Sequence, residues 1–279
     1  MSHEAPMLAQ RARAHACGRA GVTGLVLLLL LAGLLAATRL RAEFEAPGSP
    51  PPLPSEAREA LSPLGDGVVG EALPAPPITD PSRLRHLRAG VWKYRILQGK
   101  RDGGIETVRV DVEGEEAAGE AVKVVYDSGE VQHLVVTYDH EVEKLSQLDA
   151  GSKRLVVYRP GLVLEPRMRV GERKRVQSDL STHRGASSGK VEYRGKLDYT
   201  ITYVGAYRVT TPAGRFDARL LRHEYEMTIG PATAHYRSYG FYVDDVGLVA
   251  EVSEEKITAL LLYRRSDRSA RVLAEFPDP

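Results

Sequence analysis

Cysteine is almost missing from this chain. Cys17 is the only one, and residues 38–279 contain none. No disulfide can staple the bulk of the chain, and no thiol there can misoxidise if it crosses into an oxidising compartment. Cys17 also precedes the long apolar run instead of following it, which excludes a lipidated cysteine behind a signal peptide. Asparagine is absent altogether, so there is no N-glycosylation sequon. Net charge is scarce as well: 38 basic and 37 acidic side chains leave +1. No global field therefore draws the chain to nucleic acid or to an anionic surface. Arginine greatly outnumbers lysine, and Ala and Gly are abundant, the skew of a GC-rich bacterial genome.

What is present begins with Gly21–Ala37, GVTGLVLLLLLAGLLAA, which holds eight leucines and no charge between Arg19 and Arg39. As a helix, the uncharged interval 20–38 spans roughly 28 Å, close to the ~30 Å hydrocarbon core. A cleavable signal has a shorter apolar core of about 7–15 residues and a small-x-small exit. Here the exit is Leu35-Ala36-Ala37 with Arg39 and Arg41 behind it, so an uncleaved anchor is expected. Arg11, Arg13 and Arg19 before the segment against Arg39 and Arg41 after it favour a cytoplasmic N-terminus. The expected organisation is a cytoplasmic tail at 1–20, a transmembrane anchor at 21–37, a Pro-rich spacer at 38–81 and a β-rich extracytoplasmic domain at 82–279. The expected location is the bacterial inner membrane, crossed once, with the C-terminal domain in the periplasm.

Proline at the density found in the spacer favours extended polyproline II. Inside it, Gly65-Asp66-Gly67-Val68-Val69-Gly70 matches GxGxxG. A dinucleotide site needs a helix opening at those glycines, and Leu73-Pro74-Ala75-Pro76-Pro77 forbids one. Asp80-Pro81 offers an N-cap followed by proline at the first helical position, which predicts a short helix at Ser82–Arg88.

From Val91 the period is two. Trp92, Tyr94 and Ile96 alternate with Lys93 and Arg95, Val108, Val110 and Val112 with Arg109 and Asp111, and Leu197, Tyr199, Ile201 and Tyr203 with Asp198, Thr200 and Thr202. Val122, Val124 and Tyr126 repeat the pattern. Further strands are expected at Phe216–Thr228, Thr233–Val243, Leu248–Val252 and Lys256–Tyr263. Asp102-Gly103-Gly104, Asp127-Ser128-Gly129, Pro212-Ala213-Gly214, Gly230-Pro231 and Asp244–Gly247 separate them as turns. The fold class is mainly β: an antiparallel open half-barrel or barrel-like sheet behind one N-terminal transmembrane helix.

Val209-Thr210-Thr211-Pro212-Ala213-Gly214-Arg215-Phe216-Asp217-Ala218, followed by Tyr239-Gly240-Phe241-Tyr242-Val243 and Gly247-Leu248-Val249, resembles a bacterial envelope family of unknown function often called TapB-like. The resemblance implies export and the open antiparallel half-barrel of lipoprotein carriers. Its residues belong to turns and strands, and it implies no catalytic role.

Motifs for chemistry are weak. Gly185-Ala186-Ser187-Ser188-Gly189 matches GxSxG, but the strand-like Lys190–Arg194 follows where a nucleophile elbow needs a helix. His86, His133, His140, His183, His223 and His235 never fall in HxH or HExxH spacing, and His133 and His140 lie near one hairpin with Asp139 and Glu141. Arg167, Arg169, Arg173, Lys174 and Arg175 form a basic run without the interleaved aromatics that stack on bases, and a solvated strand edge explains it. Asp244/Asp245 and Glu254/Glu255 are read as turn pairs. No catalytic, cofactor or metal residue is assigned, and no nucleic-acid partner is expected. The leading functional expectation is a non-enzymatic interaction or scaffolding module of an envelope assembly, held to the inner membrane through residues 21–37. A carrier of an apolar ligand such as an acyl chain is the alternative, followed by a hydrolase whose site is not visible in the sequence.

Overall fold

The computed structural model describes residues 50–279, apart from 86, 117, 186–188, 260–262 and 278–279. The tail, the apolar run 21–37 and the serines of the GxSxG match lie outside the described residues. Among those described, no helix is long and apolar enough to cross a membrane.

Thirteen strands follow one short helix, α1 (Ser55–Ala60): β1 (Val69–Leu73), β2 (Gly90–Gln98), β3 (Ile105–Glu116), β4 (Gly119–Tyr126), β5 (Val131–Thr137), β6 (Val142–Asp149), β7 (Arg154–Val163), β8 (Arg173–Arg184), β9 (Val191–Thr211), β10 (Gly214–Ile229), β11 (Ala232–Val243), β12 (Gly247–Ala259) and β13 (Tyr263–Glu275). From β2 to β13 every strand pairs antiparallel with the next, and β13 pairs back onto β2 through Ala270–Gln98 and Leu273–Tyr94. The sheet is thus a closed twelve-stranded up-and-down barrel and not an open half-barrel. Closure removes the unpaired edges that an open sheet would leave. The extra strand β1 lies outside the ring, against the final third of the 21-residue β9, whose first part pairs with β8.

The period-two sequences produce this wall. Trp92 and Tyr94 are fully buried while Val91, the residue before Trp92 in β2, is exposed, and Val108, Val110, Leu197, Tyr199, Ile201 and Tyr203 are likewise buried. The five turn signals all fall between strands. Gly214 and Gly247 take φ of 139° and 91° at two of them, a region that a side chain with a Cβ disfavours. Two strand expectations change. Leu248–Val252 and Lys256–Tyr263 are largely one strand, β12, and the charge-rich stretch after it forms β13. Glu254 and Glu255 therefore sit in mid-strand, not at a turn.

The second half of the expected spacer also folds. Residues 54–73 form α1, a 3-10 turn at Ser62–Leu64 and β1, and they bury Ala57, Leu61 and Leu64 on the outer wall. Composition concealed this, because a few anchors spaced among prolines suffice to bind the segment. The Tyr207 and Phe241 rings meet edge to face beneath it, with centroids 6.3 Å apart. In place of a helix at Ser82–Arg88 there is a 3-10 turn at Pro81–Leu84, with Asp80 accepting from the Ser82 amide as expected of an N-cap.

One end of the barrel is floored. Ile78 and Met168 exchange both backbone hydrogen bonds (2.7 and 3.1 Å), the Ser82 amide donates to the His140 carbonyl, and the Tyr203 hydroxyl donates to that of Pro76. Leu84, Ile78 and Met168 are buried in this floor, and the Trp92 indole donates to the Val246 carbonyl at its edge. At the opposite end, strands are joined by hairpin turns such as Asp127–Gly129 and Gly230–Pro231.

Candidate functional site

Alternation places one residue in two inside the barrel, and above the floor many of these inward residues are polar. Groups on distant strands feel one another's charge across the interior, as Glu130 before β5 does Arg271 of β13. The lumen holds three linked clusters.

Nearest the floor, the Arg85 guanidinium enters the lumen behind the Pro81–Leu84 turn. Its Nε lies 2.8 and 2.9 Å from the two oxygens of the fully buried Glu165, and its Nη2 also donates to that carboxylate. Burial opposes the charge on Arg85, yet Glu165 holds its pKa well above the ordinary value. Next to it the Tyr242 hydroxyl is 3.2 Å from His223 Nε2, His223 Nδ1 is 2.6 Å from the Tyr199 hydroxyl, and that hydroxyl donates to the Leu164 carbonyl at 3.2 Å. One proton arrangement satisfies the chain: Tyr242 donates to Nε2, Nδ1–H donates to Tyr199, and Tyr199 donates to Leu164. Burial first, then the charge of Arg85, pushes the His223 pKa down to about 3, so the ring is neutral.

On the neighbouring wall Arg271 bridges two carboxylates. Its Nη2 and Nε donate to Glu251 Oε2 at 2.7 and 3.0 Å, and its Nη1 donates to Glu106. The guanidinium lies over the Tyr94 ring, 4.9 Å from the centroid, and the Tyr94 hydroxyl is satisfied by the Leu248 carbonyl. Despite burial, Glu251 and Glu106 keep Arg271 firmly protonated. Tyr126 is pushed up to about 12, chiefly by burial.

Towards the hairpin end, Lys144 Nζ donates to Gln147 (2.8 Å) and lies 5.1 Å from the Tyr158 ring centroid, while Gln132 donates to Glu130 (2.7 Å). Burial lowers Lys144 to about 8, against the pull of Glu130, and burial raises Glu130. Opposite, the Tyr225 and Tyr236 rings stack at 4.8 Å, the Tyr225 hydroxyl donates to Glu255 (3.0 Å), and the Ser253 and Ser269 hydroxyls meet at 2.8 Å. Lys144, Glu130, Gln132, Gln147, Tyr126, Tyr225, Tyr236 and Glu255 lie deep between the walls but are only half-buried. Their partial exposure leaves this part of the lumen accessible to solvent.

The residues singled out in the sequence stand mostly elsewhere. Among the described residues no cluster of three or more metal-ligating side chains occurs. His133 and His140 do not meet: the first lies 3.9 Å from Glu113 and the second 3.9 Å from Asp80. The basic run divides. Arg167 ties the floor to the Thr79 and Asp139 carbonyls, and Arg175 pairs with Asp198 on the outer wall. The first half of β8 has a ladder partner only in β9, since β7 joins from Asp179 onward. Asp244 and Asp245 pair separately with Arg219 and Arg83. Gly65 and Gly67 lead into β1, not into a helix. His86 lies outside the described residues; among the described histidines noted in the sequence, His223 alone joins the lumen network described above. The signal that could have found the site is a polar residue at an inward position: Glu106 shares its alternation with Val108 and Val110, and Glu251 with Val249.

No family model matches the chain, and no curated protein matches it. Solved structures with similarity to it include a candidate exported protein with a YmcC-like fold from Bacteroides fragilis (14% identity, TM-score 0.41, covering 70% of this chain and 98% of that one). The hypothetical lipoprotein YmcC from Escherichia coli (11%, 0.36, 70% and 89%) and a candidate lipoprotein from Parabacteroides distasonis (12%, 0.29, 70% and 97%) are also similar. At these identities and scores the description of the fold rests on the chain's own strand pairing. The narrower TapB-like resemblance is matched by no family model.

Proposed function

We propose that this chain is a membrane-tethered binding module whose barrel lumen takes a small, polar, hydrogen-bonding ligand. The observation that carries it is a floored barrel with a solvent-accessible upper lumen, lined by half-buried tyrosines, carboxylates, amides and one lysine held in place by mutual hydrogen bonds. Such a wall is preorganised, and a ligand that replaces lumen water meets donors and acceptors already oriented. An acyl chain there would strip water from Lys144, Glu130 and Glu255 without replacing its hydrogen bonds, which costs more than the methylenes return. His223 supports binding over turnover, since both ring nitrogens are engaged and the ring is neutral. The tether is the apolar run 21–37, and the cysteine-free bulk and the arginine asymmetry support a periplasmic barrel.

The test is analysis of small molecules released from the full-length chain purified in mild detergent. A polar compound is expected, with its amount falling in Tyr225→Ala and Glu255→Gln. A fatty acid or phospholipid retained in the lumen, or a polar compound indifferent to both substitutions, overturns the proposal. Reporter fusions test the tether: a periplasm-only reporter after Pro279 should be active, and a cytoplasm-only reporter there should not.

A further inference from the structure

The first half of β8 has a free edge. Its ladder with β7 runs from Leu155–His183 to Arg159–Asp179. It stops there because Pro160, the next residue of β7, has no N–H to donate. Beyond that point β7 continues with β6 alone, through Leu162–Lys144 and Val163–Glu143, while β8 runs beside β9 down to Arg173–Thr202. In an antiparallel strand the backbone groups of successive residues face opposite neighbours. The Tyr203 amide donates to the Glu172 carbonyl, so Glu172, Lys174 and Val176 face β9, and Arg173, Arg175 and Gln177 face away from it. Asp179 falls in the second set, and that is where Arg159 pairs. The N–H and C=O groups of Arg173, Arg175 and Gln177 are therefore left to water, and all three residues are exposed.

The side chains along this edge are short of partners as well. Arg175 pairs with Asp198, and Glu172 accepts from the Arg169 amide. The side chains of Arg169, Arg173 and Lys174 make no hydrogen bond or ion pair among the described residues, and all three are exposed. Clustered charge of one sign repels a second copy of the same edge, the usual protection of a free strand. The same charge selects a partner of opposite sign. We propose that the first half of β8 takes up a short, extended, acidic segment of a partner protein as an added strand. The backbone of that segment continues the ladder at Arg173, Arg175 and Gln177. Successive side chains of a strand point to opposite faces. Arg173 lies beside Thr202 and Lys174 beside the buried Ile201, so the segment carries carboxylates on both of its faces. Each carboxylate opposite a cation adds to the pairing.

The test is fluorescence anisotropy of short labelled peptides titrated with the full-length chain in mild detergent, followed by hydrogen exchange of the complex. The acidic probe alternates Glu-Glu and Thr-Thr pairs. Its counterparts carry Lys in place of Glu, or Pro in place of Thr, and a thymidine oligonucleotide of equal charge completes the set. The Glu/Thr peptide should bind, and the amides of Arg173, Arg175 and Gln177 should then exchange more slowly. Arg173→Gln combined with Lys174→Gln should weaken it about fivefold. That variant should keep the melting temperature, because neither side chain has a partner to lose. The Lys peptide is repelled, the Pro peptide lacks the N–H groups of a ladder, and the oligonucleotide has no peptide backbone, so all three should bind far more weakly. Equal binding of the Pro peptide or the oligonucleotide means a patch that holds any polyanion, and overturns the proposal. Equal binding of the Lys peptide, no binding of the Glu/Thr peptide, or binding that leaves those amides unprotected overturns it too.

Discussion

Acidification should destabilise this barrel through one side chain, His223. The ring lies beside Tyr199, Tyr242 and Arg85, and its pKa falls from 6.5 to about 3. Below pH 6.5 the unfolded chain takes up a proton here that the folded one refuses, so stability is complete above that pH and is lost as pH falls towards 3. At about 1.4 kcal/mol per pKa unit, the loss from this group is about 2 kcal/mol between pH 7 and pH 5, and about 3 kcal/mol by pH 4. Both are sizeable against the 5–15 kcal/mol of an ordinary domain. The assay is urea unfolding of wild type and His223→Gln at pH 7, 6, 5 and 4. Glutamine is polar but does not titrate, so the variant should begin less stable at pH 7 and lose less on acidification. The gap between the two should shrink by about 2 kcal/mol by pH 5. Contributions from carboxylates elsewhere are common to both proteins and cancel. Parallel curves would refute the neutral, buried state of the ring.

Glu165→Ala leaves Arg85 charged inside the barrel without its partner, and should cost about 3–5 kcal/mol in chemical unfolding; a cost near zero would mean that Arg85 swings out to water. Gly214→Val and Gly247→Val force a β-branched residue to positive φ and should each cost about 1–3 kcal/mol, read as a lower melting temperature. Residues 82–279 alone should melt far below residues 50–279, because Leu61, Leu64 and Ile78 each contribute about 1.5–3 kcal/mol through burial. Equal melting would show that the outer-wall segment is dispensable.

Much of the wall was legible in the sequence because burial repeats every second residue there. Trp92 and Tyr94, Val122 and Val124, and Leu197, Tyr199, Ile201 and Tyr203 are inward and buried, and the glycine-bearing turns fall where the alternation breaks. Closure was not legible, since it depends on β13, and Tyr263–Glu275 is dense in charge. The candidate site was hidden for the same reason. Polar residues at inward positions look like a solvated face until their partners are known, and those partners are remote: Arg271 meets Glu106 across 165 residues and Arg85 meets Glu165 across 80. Proline content concealed the other part, where Ala57, Leu61 and Leu64 anchor a segment that composition reads as a spacer.

The ring pairing has a consequence for the order in which the chain can fold. All eleven seams from β2 to β13 join neighbours in sequence, so hairpins can assemble as the chain emerges. The last seam joins β2 to β13, and it cannot form until Tyr263–Glu275 is available. Until then β2 and β12 each present an open edge, the usual template for pairing with another molecule. The arrangement makes the final thirteen-residue strand a clasp: a chain that stops before it keeps nearly all of its hairpins, but is left with two adhesive edges and an interior open along its length.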